Sequence, residues 1–315
     1  MIEIEKLKKT FDAVFFEIQK VIVGQNDVIE QIIIAMLCDN NALLESYPGL
    51  GKTLTIRTLA DVMDMKFSRI QNTPDLMPSD ITGTEVIEES AGKRYFKFQE
   101  GPVFANIVLA DEINRATPKT QSALLEAMQE KQVTVGNKTH ELPLPFFVLA
   151  TQNPIEQEGT YPLPEAQTDR FLLKIKIDYP SFEDEVEIVN RYTKYAKPPE
   201  IRKILGKNSF LALQKFTKQV PISDELARAV VKIVGATRTD KQHIEYGASP
   251  RASIGLILAA KAQALVNGRS HVSAKDVQKM AFPVLRHRII LNFEAERKGM
   301  TTDDAIKTIL DKVLK

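Results

Sequence analysis

Cysteine is nearly absent from the 315 residues: Cys38 is the only one, set in the apolar run Ile32-Ile-Ile-Ala-Met-Leu-Cys38. No intramolecular disulfide can form, which fits a reducing compartment, and the run marks Cys38 as a small buried hydrophobe. Histidine is scarce and scattered (His140, His243, His271, His287), with no H-E-x-x-H run, so a protein-ligated zinc site is not expected. No apolar stretch approaches the roughly 18 residues of a membrane span. The N-terminal Met1-Ile-Glu-Ile-Glu-Lys-Leu-Lys-Lys9 lacks the apolar core of a signal peptide. Neither sign of charge dominates, with 42 Lys and Arg against 41 Asp and Glu. No global field therefore draws the chain to nucleic acid or anionic lipid, and no Lys/Arg run carries interleaved aromatics. The expectation is a soluble, cytoplasmic protein with no membrane span and no nucleic-acid partner, long enough for two domains.

What is present is an alternation of helices and strands. Ile4, Leu7, Phe11, Val14 and Ile18 recur three or four apart and predict an amphipathic helix. Val21-Ile-Val-Gly-Gln25 reads as a short extended element, and residues 27–39 as a second, apolar helix. Ala42-Leu-Leu44, Phe67-Ser-Arg-Ile70, Ile107-Val-Leu-Ala110 and Phe146-Phe-Val-Leu-Ala150 are short apolar runs separated by helical spacing, the mark of a parallel sheet covered on both faces. Two segments read as β-hairpins: residues 84–98 turning at Ala91-Gly92, and 131–142 turning at Gly136-Asn137. After Tyr179-Pro180 strands almost vanish. Pro198-Pro199 and Lys207-Asn208 predict a connecting region before a helical bundle, and Ser181, Ser273 and Thr301 open capping boxes.

Ser46-Tyr-Pro-Gly-Leu-Gly-Lys52-Thr53 is a near match to the phosphate-binding loop G-x-x-x-x-G-K-[ST], departing only at Ser46. A strand before it and a helix after it would aim free backbone N–H groups at a phosphate, with Lys52 on the outer phosphates and Thr53 on Mg²⁺. Ile107-Val-Leu-Ala-Asp111-Glu112 ends an apolar strand in two carboxylates, which a buried parallel strand admits only at its C-terminal edge. Asp111 would hold Mg²⁺, and Glu112 would deprotonate the attacking water. Asn153, ending the next strand, would hydrogen-bond the γ-phosphate or that water. Arg170 would stabilise a transferring phosphoryl group, or else pair with Asp169 or Glu165. In Ser249-Pro250-Arg251, Ser249 reads as an N-cap, and Arg251 sits in a helix's first turn against the dipole, which suggests a phosphate contact.

Together these runs resemble a MoxR-type AAA+ ATPase. They are Pro48-Gly-Leu-Gly-Lys-Thr53, Thr73-Pro-Asp-Leu-Met-Pro-Ser-Asp-Ile-Thr-Gly83, Gly101-Pro-Val-Phe104, Leu109-Ala-Asp-Glu-Ile-Asn-Arg-Ala116, Ala150-Thr-Gln-Asn-Pro154, Glu165-Ala-Gln-Thr-Asp-Arg-Phe171 and Gly247-Ala-Ser-Pro-Arg251. The resemblance implies an α/β fold: an αβα phosphate-loop core with a five-stranded parallel sheet and two hairpin insertions shared with magnesium-chelatase subunits (residues 1–190), then an all-α lid (191–315). It implies ATP and Mg²⁺ as cofactors. Val23, Gly24, Pro48, Gly49, Leu50, Gly51, Lys52, Thr53, Leu54 and Arg251 would bind nucleotide, Thr53 and Asp111 the metal, and Glu112, Asn153 and Arg170 would be catalytic. It further implies a ring, usually hexameric, with Arg170 acting on a neighbour's nucleotide while Arg251 serves its own. Hydrolysis would move lid against core and remodel protein clients, often von Willebrand A domain proteins. Two other classes fit the loop: a nucleic-acid-stimulated motor, which the balanced charge disfavours, and an ATP-gated scaffold with negligible turnover, to which Ser46 would be the clue.

Overall fold

The computed structural model describes residues 4–90, 93–155, 159–194 and 199–314; the expected turn at Ala91-Gly92, and Pro198, lie outside them. The chain opens with α1 (Ile4–Gln19) and α2 (Asn26–Leu37), then alternates β1 (Ala42–Ser46), α3 (Lys52–Val62), β2 (Phe67–Gln71), α4 (Pro78–Thr82), β3 (Gly83–Ser90), β4 (Lys93–Glu100) and β5 (Ile107–Asp111). Next come α5 (Pro118–Glu130), β6 (Gln132–Val135), β7 (Lys138–Glu141), β8 (Phe147–Gln152), α6 (Glu165–Thr168), β9 (Leu173–Ile177) and α7 (Phe182–Lys194). The rest is α8 (Lys207–Gln219), α9 (Asp224–Thr239), α10 (Pro250–Val266), α11 (Ala274–Leu285), α12 (Phe293–Arg297) and α13 (Thr302–Val313), with one small ribbon, β10 (Ile244–Tyr246) on β11 (Ile290–Leu291).

Five strands form one parallel sheet in the order β2-β5-β8-β1-β9. Alternate side chains of each strand enter opposite apolar layers, as the two-residue period requires. Ile107 and Leu109 of β5 join Phe147, Leu149, Ala42 and Leu44 on one face, while Val108, Ala110, Val148, Ala150 and Leu43 line the other. The first layer runs without a break from α1 and α2 across the sheet into α8, α9, α10, α11 and α13, so amino-terminal and carboxy-terminal helices share one core. α5 and the roots of the two hairpins cover the second layer. The hairpins β3–β4 and β6–β7 are antiparallel and touch each other, with the Phe98 ring stacked on His140 at 3.9 Å.

Several local expectations need revision. Val21-Ile-Val-Gly-Gln25 is no strand: Val21 closes a turn onto Ile18 and Gly24 takes a left-handed φ of 83°, so the segment bends away from any sheet. Lys207-Asn208 opens α8 instead of breaking a helix, because Gly206 supplies the extended cap before it. β9 escaped notice in the sequence because Leu173-Lys-Ile-Lys-Ile177 alternates lysine with apolar residues, the pattern of an edge strand.

At the seam between β9 and α11, His287 is half-buried, and its Nε2–H donates to the Phe171 carbonyl at 3.0 Å. Burial, and then the adjacent Arg288 guanidinium, hold this imidazole well below the usual histidine range. The unfolded chain therefore takes up a proton that the native one refuses. Stability from this group is complete above about pH 6.5 and drains as pH falls below it, by up to about 1.4 kcal/mol per pH unit. Urea unfolding between pH 7.5 and 5.5 should show this slope in the parent and a flatter one in His287→Gln; parallel profiles would refute the assignment.

Candidate nucleotide-binding site

Because β5, β8 and β1 run parallel with β8 in the middle, the loop after Ser46, the acids at 111–112 and Asn153 all emerge on one rim of the sheet. Ser46 is the last residue of β1, paired with Ile177 and buried. An extended backbone needs no glycine, which explains why the departure from the loop pattern is tolerated there. The loop needs glycine further on, where Gly49 and Gly51 have φ of 82° and 74° and a Cβ at either would meet open space. Gly51 leads directly into α3, so the N–H groups of its first turn have no partner within the helix and gather at the positive end of its dipole. Lys52 makes no ion pair among the described residues.

Gln25 ties the entry segment to this loop, its Nε2 donating to the Leu50 carbonyl at 2.8 Å while its Oε1 accepts from Thr55 Oγ1 at 3.1 Å. The resulting cavity, about 890 Å³, is walled by Val23, Gly24, the turn Pro48 to Gly51, Leu54 and Tyr192. Gly24 has the left-handed φ that favours glycine, and a Cβ there would lie 2.8 Å from the Asp184 carboxylate and displace it.

Asp111 is buried, and both its oxygens are occupied. Oδ1 accepts from Thr151 Oγ1 at 2.7 Å, and Oδ2 accepts from Arg69 Nη2 at 2.6 Å and Nε at 3.2 Å. The same Thr151 oxygen accepts the N–H of Glu112 at 2.9 Å. Glu112 takes a left-handed backbone (φ 55°, ψ 52°), an unfavourable conformation for a residue with a Cβ and one that clusters at active sites. Its carboxylate accepts from Arg115 Nη1 at 3.0 Å and Gln71 Nε2 at 3.2 Å. The buried Asn153 accepts the Ile155 N–H at 3.2 Å.

Arg170 and Arg251 stand elsewhere. They line a second cavity, about 360 Å³, together with Lys131 and Asp169, and neither is part of the wall around the phosphate loop. Arg251, expected on the chain's own nucleotide, is thus grouped with Arg170. The alternative pairing of Arg170 with Asp169 is not observed: that carboxylate accepts from Ser249 Oγ at 3.0 Å and Arg288 Nε at 2.8 Å, and lies 3.8 Å from Arg251 Nη1. Ser249 does stand at the N-cap, but its hydroxyl is directed to Asp169 and not to the helix.

The matches among known proteins agree with this layout. Residues 41–173 match the model of the ATPase family associated with various cellular activities (AAA), and residues 236–309 match the AAA lid domain. The chain is 45% identical to the chaperone MoxR1 of Mycobacterium tuberculosis over 96% of its own length and 82% of that protein's. It is 30% identical to the protein MoxR of Paracoccus denitrificans, covering 92% of each. The chain belongs to the MoxR-type AAA+ ATPases. A crystal structure of a Cytophaga hutchinsonii protein, named as a candidate ATPase, superimposes with a TM-score of 0.92 at 46% identity, covering 99% of this chain and 96% of that one.

Thr151, Arg69 and Arg115 were not singled out from the sequence. A cation inside the apolar run Phe67-Ser-Arg-Ile70, and a hydroxyl one strand over from an acid, were the available signals. If Thr151 holds both acids, Thr151→Val should fold yet weaken the Mg²⁺ dependence of nucleotide binding about 10–100-fold, with Thr151→Ser recovering most of it. A magnesium titration monitored with a fluorescent nucleotide reads this, and an unshifted midpoint in Thr151→Val would exclude the role.

Proposed function

We propose that this protein hydrolyses Mg·ATP in a ring of identical copies and uses the cycle to remodel or activate protein clients. The observation that carries the reading is the shared rim: left-handed glycines and the bare first turn of α3 beside Asp111, Glu112 and Asn153. The residues present fit the group: the glycine turn offers donors and room for phosphate, and a buried carboxylate next to them suits a divalent ion. Lys52, Thr53 and the backbone from Pro48 to Leu54 would hold the phosphates, Val23 and Gly24 would flank the base, and Thr53 with Asp111 would hold Mg²⁺. Bound there, the metal would neutralise charge developing on the phosphates.

For the chain's own part, Glu112 would take the proton of the attacking water, and Asn153 would orient that water as a neutral donor. Both acids are held by arginines here, Asp111 by Arg69 and Glu112 by Arg115, which favours low turnover in an isolated copy. Arg170 and Arg251, lying together outside the loop cavity, fit a role on a neighbour's nucleotide. The functional division we adopt is a nucleotide unit at 1–190 and a helical unit at 191–315. Family membership supports a protein client, for which a von Willebrand A domain partner is the first candidate. The single cysteine, buried in α2's C-cap, suits a reducing cytoplasmic setting, and no described helix is long and apolar enough to cross a membrane.

Two measurements test the reading. Glu112→Gln should bind ATP normally while steady-state turnover falls about 10²–10⁴-fold; retained turnover would reject the water-activating role. Arg170→Ala should lose about 10³–10⁵-fold, the range of fingers supplied between chains. Mixing it with Lys52→Ala should return part of the activity, and no rescue would place Arg170 in its own subunit's site.

A further inference from the structure

Arg288 has 3% of its side chain exposed, and each of its five N–H donors meets an acceptor. Nε donates to Asp169 Oδ1 at 2.8 Å. Nη2 donates to the carbonyls of Asp169 at 3.1 Å and Phe171 at 2.5 Å, and Nη1 to those of Leu172 at 3.0 Å and Val284. Four of these acceptors belong to residues 169–172, on both sides of Arg170, while the donor lies just past α11. Asp169 extends the link in the other direction, since its carboxylate also receives the Ser249 hydroxyl at the start of α10 and lies 3.8 Å from Arg251. Burying a guanidinium carries a desolvation penalty of several kcal/mol, and well-packed apolar residues often match or exceed such a buried pair in stability. Stability alone therefore gives little reason for this arginine. What the apolar alternative would lack is a fixed geometry for the carbonyls of Asp169, Phe171 and Leu172, which bracket Arg170.

We propose that Arg288 and Asp169 form a clamp through which the helices around 249–288 set the position of Arg170, so that Arg170 and Arg251 reach a phosphate held by a second copy of this chain as one unit. The proposal rests on the reading of Arg170 given above. It makes Arg288 and Asp169 positioning residues, and it means that a shift of α10 or α11 in one subunit is felt at the site of its neighbour. Arg170 cannot move independently of the helices, because the backbone on either side of it is bonded to them.

The test uses full-length Arg288→Met and Arg288→Lys, with Asp169→Asn as a second route should the first pair unfold. Expected are near-normal binding of a fluorescent ATP analogue by each variant's own phosphate loop, turnover lower by about 10²-fold as for a misplaced catalytic group, and faster amide hydrogen exchange across residues 167–173. Mixing Arg288→Met with Lys52→Ala should recover activity, because the latter supplies an intact face to a working loop. Wild-type turnover, or unchanged exchange at 167–173, would overturn the clamp. So would failure of this mixture where Arg170→Ala with Lys52→Ala succeeds. Failure of both mixtures would instead remove the reading of Arg170 itself, and the clamp with it.

Discussion

Asp111 ends a strand whose every residue is buried, and a carboxylate there is tolerable only because each oxygen is met. Thr151 serves one oxygen and Arg69 the other, and the same hydroxyl fixes the backbone of Glu112. The two partners differ in what they can do. Thr151 is wholly inaccessible and cannot leave, whereas the Arg69 side chain is 45% exposed against 9% for that of Asp111. An exposed guanidinium can swing into water at small cost, but the stranded carboxylate would face several kcal/mol of uncompensated burial. A cation bound at this carboxylate in place of Arg69 would relieve that cost. The pairing keeps the carboxylate oriented at the rim.

The cavity lined by Arg170 and Arg251 shares no residue with the one beside the phosphate loop. One holds the glycine turn; the other presents Arg170 and Arg251 around an Asp169 already engaged by Arg288. In the assembly we propose, the two would meet head to tail, and such contacts close into rings when the rotation allows. A two-fold dimer would bring like faces together and leave the arginines away from any phosphate. Arg170 and Arg251 both line the same cavity, and neither lines the one beside the chain's own loop.

Much of this was legible in the residues. Apolar runs at 42–44, 107–110 and 146–150 gave the central strands, and their carboxyl-terminal polar residues gave the rim, because burial on both faces leaves polar groups no other place. Gly136-Asn137 turns β6 into β7, and the capping boxes at Ser273 and Thr301 formed as their spacing implied. Three kinds of feature were hidden. β9 carries lysines at alternate positions, so it lacked the signature of a buried strand. Thr151 and Arg69 matter through cross-strand register, which no local pattern encodes. Arg251 followed its local rule and stood in the first turn of α10, yet which cavity that turn faces depends on how α10 sits against α1 and α2.

That seating also limits what the helical region can do. α10 and α11 share an apolar layer with α1, α2 and the sheet, so a wide swing of these helices would expose it. At about 25 cal/mol for each Å² of apolar surface, uncovering on the order of 100 Å² costs about 2.5 kcal/mol. A charge-assisted hydrogen bond gained or lost at a phosphate is worth about 1.5–3 kcal/mol, enough for a small displacement and not for a large one. A slight shift of packed helices therefore costs less than opening a cleft between them. Such a shift has consequences only where it meets stiff polar links. The structure concentrates those at residues 169–172, where one guanidinium converts a helix displacement of small amplitude into a change in where Arg170 points.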